Sequence, residues 1–94
     1  MTLNEFKDEV LHIEKKGYYS DNDNLVIDLA DSDEYSKVFA MLEKNNDIYP
    51  EEDNQLVTED TSSLIYASKD YNFIINLVSD WDAGRYQIII SEVN

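Results

Sequence analysis

Apolar residues near the N-terminus recur at spacings of three and four, at Leu3, Phe6, Val10 and Ile13. This period predicts an amphipathic helix over residues 3–16. Thr2 and Glu5 form the capping box that would open it, and Gly17 suits its C-terminal cap. Lys15 and Lys16 stand where a helix dipole favours cations. A polar Asp-Asn stretch over 20–24 then gives way to Leu-Val-Ile-Asp-Leu-Ala, whose β-branched centre predicts a strand at 25–30. The helical period returns at Tyr35, Val38, Phe39 and Leu42, preceded by Asp31 or Ser32 as N-cap, and should end near Asn45 or Asn46.

Residues 45–62 hold Pro50, the acid triplet Glu51, Glu52 and Asp53, and few apolar groups. They predict a long loop with one short strand at 55–58. From residue 63 the period becomes two, with strands expected at 63–68, 71–79 and 86–92. Lys69-Asp70 would make the first turn between them, and residues 80–85 the second, with Gly84 available for positive φ. Tyr71, Phe73, Ile75 and Leu77 fall on one face of the middle strand, and Tyr86, Ile88 and Ile90 on one face of the last. The expected fold is α+β: two helices packed on one face of a three- to four-stranded antiparallel sheet, in the order α-β-α-β-β-β, with 1–94 as a single domain. No internal repeat, linker or low-complexity segment interrupts it. The opposite sheet face is less polar than a solvated surface, because Ile74, Val78 and Ile89 lie there. Isolated exposed apolar residues are ordinary, whereas a contiguous patch would mean a partner or a homodimer.

Charge changes this picture most. The 94 residues carry 21 Asp plus Glu against 7 Lys plus Arg, a formal net charge of −14. A surface this negative repels nucleic acid and anionic membranes, so direct binding to either is not expected. The hydrophobic fraction of 43% is too high for an acidic disordered tail and enough for one small core. With no Cys there is neither a disulfide framework nor a thiolate metal site. The N-terminus lacks the basic-then-apolar order of a signal peptide, and no apolar run reaches membrane-spanning length, which predicts a soluble cytoplasmic protein. Nine Asn, nine Ile and six Lys against one Arg and four Ala resemble the output of an AT-rich genome, such as that of a low-GC bacterium or its phage.

Candidate chemistry is sparse. One His, no Cys and two Gly leave no way to assemble a His–Cys nucleophile pair, a multi-His zinc site or a glycine-rich phosphate loop within one chain. His12, on the first helix beside its apolar stripe, reads as a surface histidine rather than a general base. Carboxylate pairs are plentiful, but general-acid work needs a cleft that raises one pKa. Asp21-Asn22-Asp23-Asn24 begins like an EF-hand loop, yet Leu25, Val26 and Ser32 occupy positions that need a ligand, a Gly and a bidentate Glu. The chain is therefore expected to be neither an enzyme nor a metal or cofactor protein.

The acids are unevenly placed. Residues 21–60 hold 13 acids and 2 Lys, while the other 54 residues hold 8 acids and 5 bases. If the intervening elements lie together, Asp21, Asp23, Asp31, Asp33, Glu34, Glu51, Glu52, Asp53, Glu59 and Asp60 form one negative surface. Concentrated like charge costs stability, so either it serves solubility or it complements a basic groove. Such grooves hold phosphate backbones, and a carboxylate can occupy a phosphate's place. Tyr18, Tyr19, Tyr49, Tyr66 and Trp81 are candidates for the apolar part of that contact, with Trp81, between Asp80 and Asp82 in a turn, the foremost.

In size, acidity, absence of Cys, helix-and-antiparallel-strand content and a C-terminal strand ending in an acid, Tyr86-Gln-Ile-Ile-Ile-Ser-Glu92, the chain resembles small phage-encoded anti-CRISPR proteins. The resemblance implies a DNA mimic that blocks the nucleic-acid site of a CRISPR nuclease in a bacterial host cell. Two alternatives share the same residues. One is an immunity protein that neutralises a basic nuclease toxin. The other is a homodimer through Ile74, Val78 and Ile89, with acidity serving solubility alone.

Overall fold

In a computed structural model the described residues are 3–69 and 72–93. They form an α+β fold with two helices and a seven-stranded antiparallel sheet. The elements are α1 (Leu3–Leu11), β1 (Lys15–Asp21), β2 (Asn24–Leu29), α2 (Ser32–Lys44), β3 (Ile48–Pro50), β4 (Leu56–Val57), β5 (Thr61–Ser68), β6 (Phe73–Asp80) and β7 (Arg85–Glu92), with a 3-10 turn at Glu52–Asn54 between β3 and β4. Strand order across the sheet is β1-β2-β7-β6-β5-β3, and β4 pairs with β5 beside β3. The sheet is thus wider than the three to four strands expected, and the order differs from α-β-α-β-β-β: β2 is the strand expected at 25–30, but β1 precedes it, starting at Lys15 within the residues the sequence pattern gives to the first helix.

The first helix stops at Leu11 because the chain tightens there: His12 N donates to Glu9 O and Ile13 N to Val10 O. Gly17 is not a helix cap. It lies in β1, just past an irregularity in the pairing with β2 between Lys15 and Gly17. Lys15 still serves the helix end, since its Nζ donates to Leu11 O at 2.6 Å. His12 falls beyond the helix, with Nδ1 2.5 Å from Asp8 O. The Asp21-Asn22-Asp23-Asn24 stretch is the two-residue turn joining β1 to β2, where Asn22 adopts φ 55°. Asn tolerates that left-handed conformation better than most residues, which suits Asn22 to this turn.

The second helix follows its pattern. Asp31 is the N-cap, its Oδ1 accepting from Glu34 N at 3.0 Å. Val38 and Leu42 are buried and Tyr35 partly so, but Phe39 is 38% exposed. Glu34, one turn before Val38, is buried instead, on the opposite flank of the stripe from Phe39.

The region expected to be a long loop is tied along the outside of β5. Ile48 pairs with Ser68 and Pro50 with Tyr66, and Leu56 pairs with Ser63. Gln55 holds the segment between them: its Oε1 accepts from Ile65 N at 2.9 Å, and its Nε2 donates to Ile65 O and Glu51 O. An amide side chain here substitutes for backbone pairing where the 3-10 turn leaves the edge of β5 unmatched. The short strand expected at 55–58 is β4.

The C-terminal meander agrees closely with its pattern. Gly84 takes φ +64° in the β6–β7 turn. Phe73, Ile75, Leu77, Ile88 and Ile90 form the core face, joined by Ile27, Leu29 and Tyr66 from β2 and β5. Phe6 and Val10 of α1 and Val38 and Leu42 of α2 pack on that same face. Within it Ser79 is fully buried, and its Oγ meets Ser62 Oγ at 2.6 Å. Thr2 of the expected capping box, Asp70 of the expected turn and Tyr71 of the expected core face lie outside the described residues, as does the side chain of Leu3.

Among the described residues no helix lies over the outer face. Register places Tyr19, Val26, Ile89, Asn76 and Ile65 in one row of cross-strand neighbours. Ser91, Ile74, Ala67 and Tyr49 lie in the row on one side of it, and Gln87, Val78, Ser63 and Leu56 in the row on the other. Ile74, Val78 and Ile89 are half-buried.

Candidate functional site

The sheet register sorts the acids into separate places. At one end of the sheet β5 begins, β6 ends and β7 begins, because Thr61 pairs with Asp80 and Asp80 with Arg85. The turn entering β5 carries Glu59 and Asp60, and the turn leaving β6 carries Trp81 and Asp82. A backbone hydrogen bond joins the two turns, from Trp81 N to Asp60 O at 2.9 Å.

Both turns are internally braced. Thr58 Oγ1 meets Thr61 Oγ1 at 2.6 Å and accepts from Thr61 N, which closes the first. Asp80 Oδ1 accepts from Ala83 N, and Gly84 N donates to Trp81 O, which closes the second. Glu59, Asp60 and Asp82 are exposed, and Trp81 remains 48% exposed on this support. An indole left this open in a braced turn, flanked by carboxylates, presents apolar area at little cost in ordering.

The start of α2 lies at the same end, since β2 runs antiparallel to β7 and finishes beside its first residues. Tyr35 fixes the placement: its ring packs on Tyr86 with centroids 5.6 Å apart, and its hydroxyl lies 3.4 Å from Ser62 Oγ. Asp31 and Asp33 are exposed on this first turn. The acidic end has a basic border at Lys16 and Arg85, which line a shallow cleft with Asp28, Leu29, Ala83, Gly84 and Tyr86.

Five of the expected contact residues, Asp31, Asp33, Glu59, Asp60 and Trp81, therefore share one end. Glu51, Glu52 and Asp53 line the β5 edge at the 3-10 turn, beside β4. Asp21 and Asp23 do not belong to the same surface, because the β1–β2 turn lies at the opposite end of the sheet. Glu34 is not a surface residue. It is 6% exposed, with Oε2 accepting from Glu14 N at 3.3 Å and Oε1 from Lys37 Nζ at 2.7 Å. Its carboxylate ties the entry to β1 onto α2, and its hydrogen bond and charge raise the Lys37 pKa above the ordinary lysine value. The single negative face expected from the sequence is thus replaced by an acidic end with an adjoining acidic edge.

Among the aromatic candidates, Tyr18 and Tyr19 are more than half exposed on edge strand β1, and Tyr49 is half-buried on β3. Tyr66 is 3% exposed and belongs to the core. Its hydroxyl lies 3.5 Å from Glu43 Oε1, and burial, reinforced by that carboxylate, pushes its pKa up to about 12.

Asp80 and Asp82 join the acidic end although neither stands among the expected contact residues. Their signal is topological: in a meander, the turn that closes one hairpin lies beside the segment that enters the strand before it. Among the described residues no group of three or more His, Asp or Glu is placed to hold a metal ion, and no helix is long and apolar enough to cross a membrane. Compared with known proteins, the chain matches no family model, no curated protein and no solved structure.

Proposed function

We propose that this protein is a charge-mimic inhibitor that occupies the basic nucleic-acid-binding groove of a partner protein. The observation that carries the reading is the pair of hydrogen-bonded turns that holds Glu59, Asp60 and Asp82 in solvent around a half-exposed Trp81. Carboxylates supply the charge that a basic groove expects from phosphates, and the indole supplies a desolvated anchor at their centre. Glu51, Glu52 and Asp53 extend the acidic surface along the β5 edge. The recognition is stoichiometric and involves no chemistry. A CRISPR nuclease of a low-GC bacterium, blocked by a phage-encoded inhibitor in the host cytoplasm, is the partner this reading favours. A basic nuclease toxin held by its immunity protein would use the same surface.

The test is affinity capture of tagged protein from a low-GC host lysate, eluted stepwise with salt and identified by mass spectrometry. One basic nucleic-acid-binding protein should elute at moderate salt and be competed by DNA. With that partner, exchanging Glu59, Asp60, Asp80 and Asp82 for their amides should weaken binding at least about tenfold, mainly through slower association. Exchanging Asp21 and Asp23 at the far end should change it far less. A complex insensitive to salt, or equally weakened by both sets, overturns the mimic.

A further inference from the structure

The middle of the sheet's outer face carries little of this chain's charge among the described residues. Its three rows of cross-strand neighbours hold the exposed Tyr19 and the partly exposed Ile65, Ile74, Val78 and Ile89 around a buried Val26, among Asn, Gln and Ser. Among the described residues in those rows the charged groups are Asp21, at the β1 edge, and Asp28, whose Oδ1 accepts from Gln87 Nε2 at 2.6 Å. In a chain with 30% charged residues and a net charge of −14, that depletion is a property of the face and not of the composition.

We infer that this face is a self-association surface, on which a second copy of the chain packs sheet against sheet about a twofold axis. Charge decides between occupants. A basic partner would bring cations onto rows that offer almost no counter-charge, and their lost hydration would go uncompensated. A second copy brings the same neutral rows, while its acids stay at the sheet end and the β5 edge, outside the contact. Val, Ile and Tyr side chains standing on both sheets then interdigitate across a layer about 10 Å thick.

The size fits a weak dimer. Six strands about 4.8 Å apart and three rows of side chains give a footprint of about 500 Å² per copy. Two copies together reach on the order of 1,000 Å², the lower bound for a specific interface. Because each copy carries −14, salt should strengthen this contact by screening the repulsion between copies. That is the opposite sign from the mimic complex, so the two readings stand or fall separately.

The experiment is sedimentation velocity of the full chain from low to high micromolar concentration, at low and at high salt. The mass should rise from one copy to two with concentration, and at lower concentration in high salt. Ile89→Lys should keep it at one copy. Ser91→Arg, which adds a charge to the half-buried row beside Ile74 without removing any packed group, should weaken association at least about tenfold with an unchanged circular dichroism spectrum. A single copy at every concentration and salt overturns the inference. So does a dimer that both variants leave intact, which would place the contact elsewhere, such as the edge strand β1.

Discussion

On β6, Ile75 and Leu77 are fully buried, while Ile74 and Val78 beside them on the same strand stay partly exposed. The same contrast holds on β7 between Ile88 and Ile90 on one side and Ile89 on the other. Both faces draw on the same β-branched residues, and both lie on strands with full backbone pairing. What separates them is the cover. Phe6, Val10, Val38 and Leu42 descend from two helices onto one face, and among the described residues neither helix packs on the other. Apolar alternation therefore identifies a sheet surface without saying whether the chain itself buries it.

The comparison is broken most directly by paired truncations. Leu77→Ala should cost about 3 kcal/mol, through lost burial and the cavity left under the helices. Val78→Ala, one residue away, should cost less than about 1 kcal/mol in the dilute single-copy state, since its side chain already meets water. Urea unfolding of both at low protein concentration measures the difference, and equal losses would mean that the outer face is as packed as the inner.

Tyr66 sharpens the inner-face side of the contrast through pH. Its folded pKa of about 12 lies above the ordinary tyrosine value of 10.0. The neutral phenol therefore contributes its full share of stability below pH 10, and that share is lost as pH rises through about 12. The loss should reach about 2 kcal/mol relative to Tyr66→Phe, which has nothing to ionise. Unfolding curves of the two proteins on either side of that window should diverge, and parallel curves would mean that the hydroxyl reaches water.

The smallest effect concerns the cover itself. Asp31→Ala removes the acceptor for Glu34 N and should cost about 1 kcal/mol, because α2 loses its cap. Hydrogen exchange should then rise in the first turn of α2 and leave β6 and β7 protected. A fully protected helix start would show that the packing of Tyr35 on Tyr86, and not the cap, holds the cover down.

How much was legible depended on the range of the interactions involved. Asp31, Val38 and Leu42 announce α2, and Phe73, Ile75, Leu77, Ile88 and Ile90 announce the core face of the meander, because capping and strand alternation act within a few residues. The turn at Gly84 was legible for the same reason. The start of β1 was not: Lys15 lies one turn beyond Leu11 and continues a helical charge pattern, yet pairing with Leu29 outweighs propensity there. Residues 45–62 look like a loop because their order comes from the edge of β5, through Gln55 and Ile65, and a composition rich in acids does not record that edge.

The acidic site divides in the same way. Its charge, its lack of Cys and the position of Trp81 in a turn between two acids are properties of the sequence alone. Which acids share a surface was decided by the order in which strands pair, and that order brings Asp60 against Trp81 while sending Asp21 and Asp23 to the far end. Glu34 has the same charge as Asp33 beside it but is buried against Glu14, a contact twenty residues away in sequence. Local patterns determine elements because backbone hydrogen bonds and side-chain periodicity are short-ranged. The grouping of charges and the covering of faces are set by contacts between distant residues, and those exist only once the sheet has assembled.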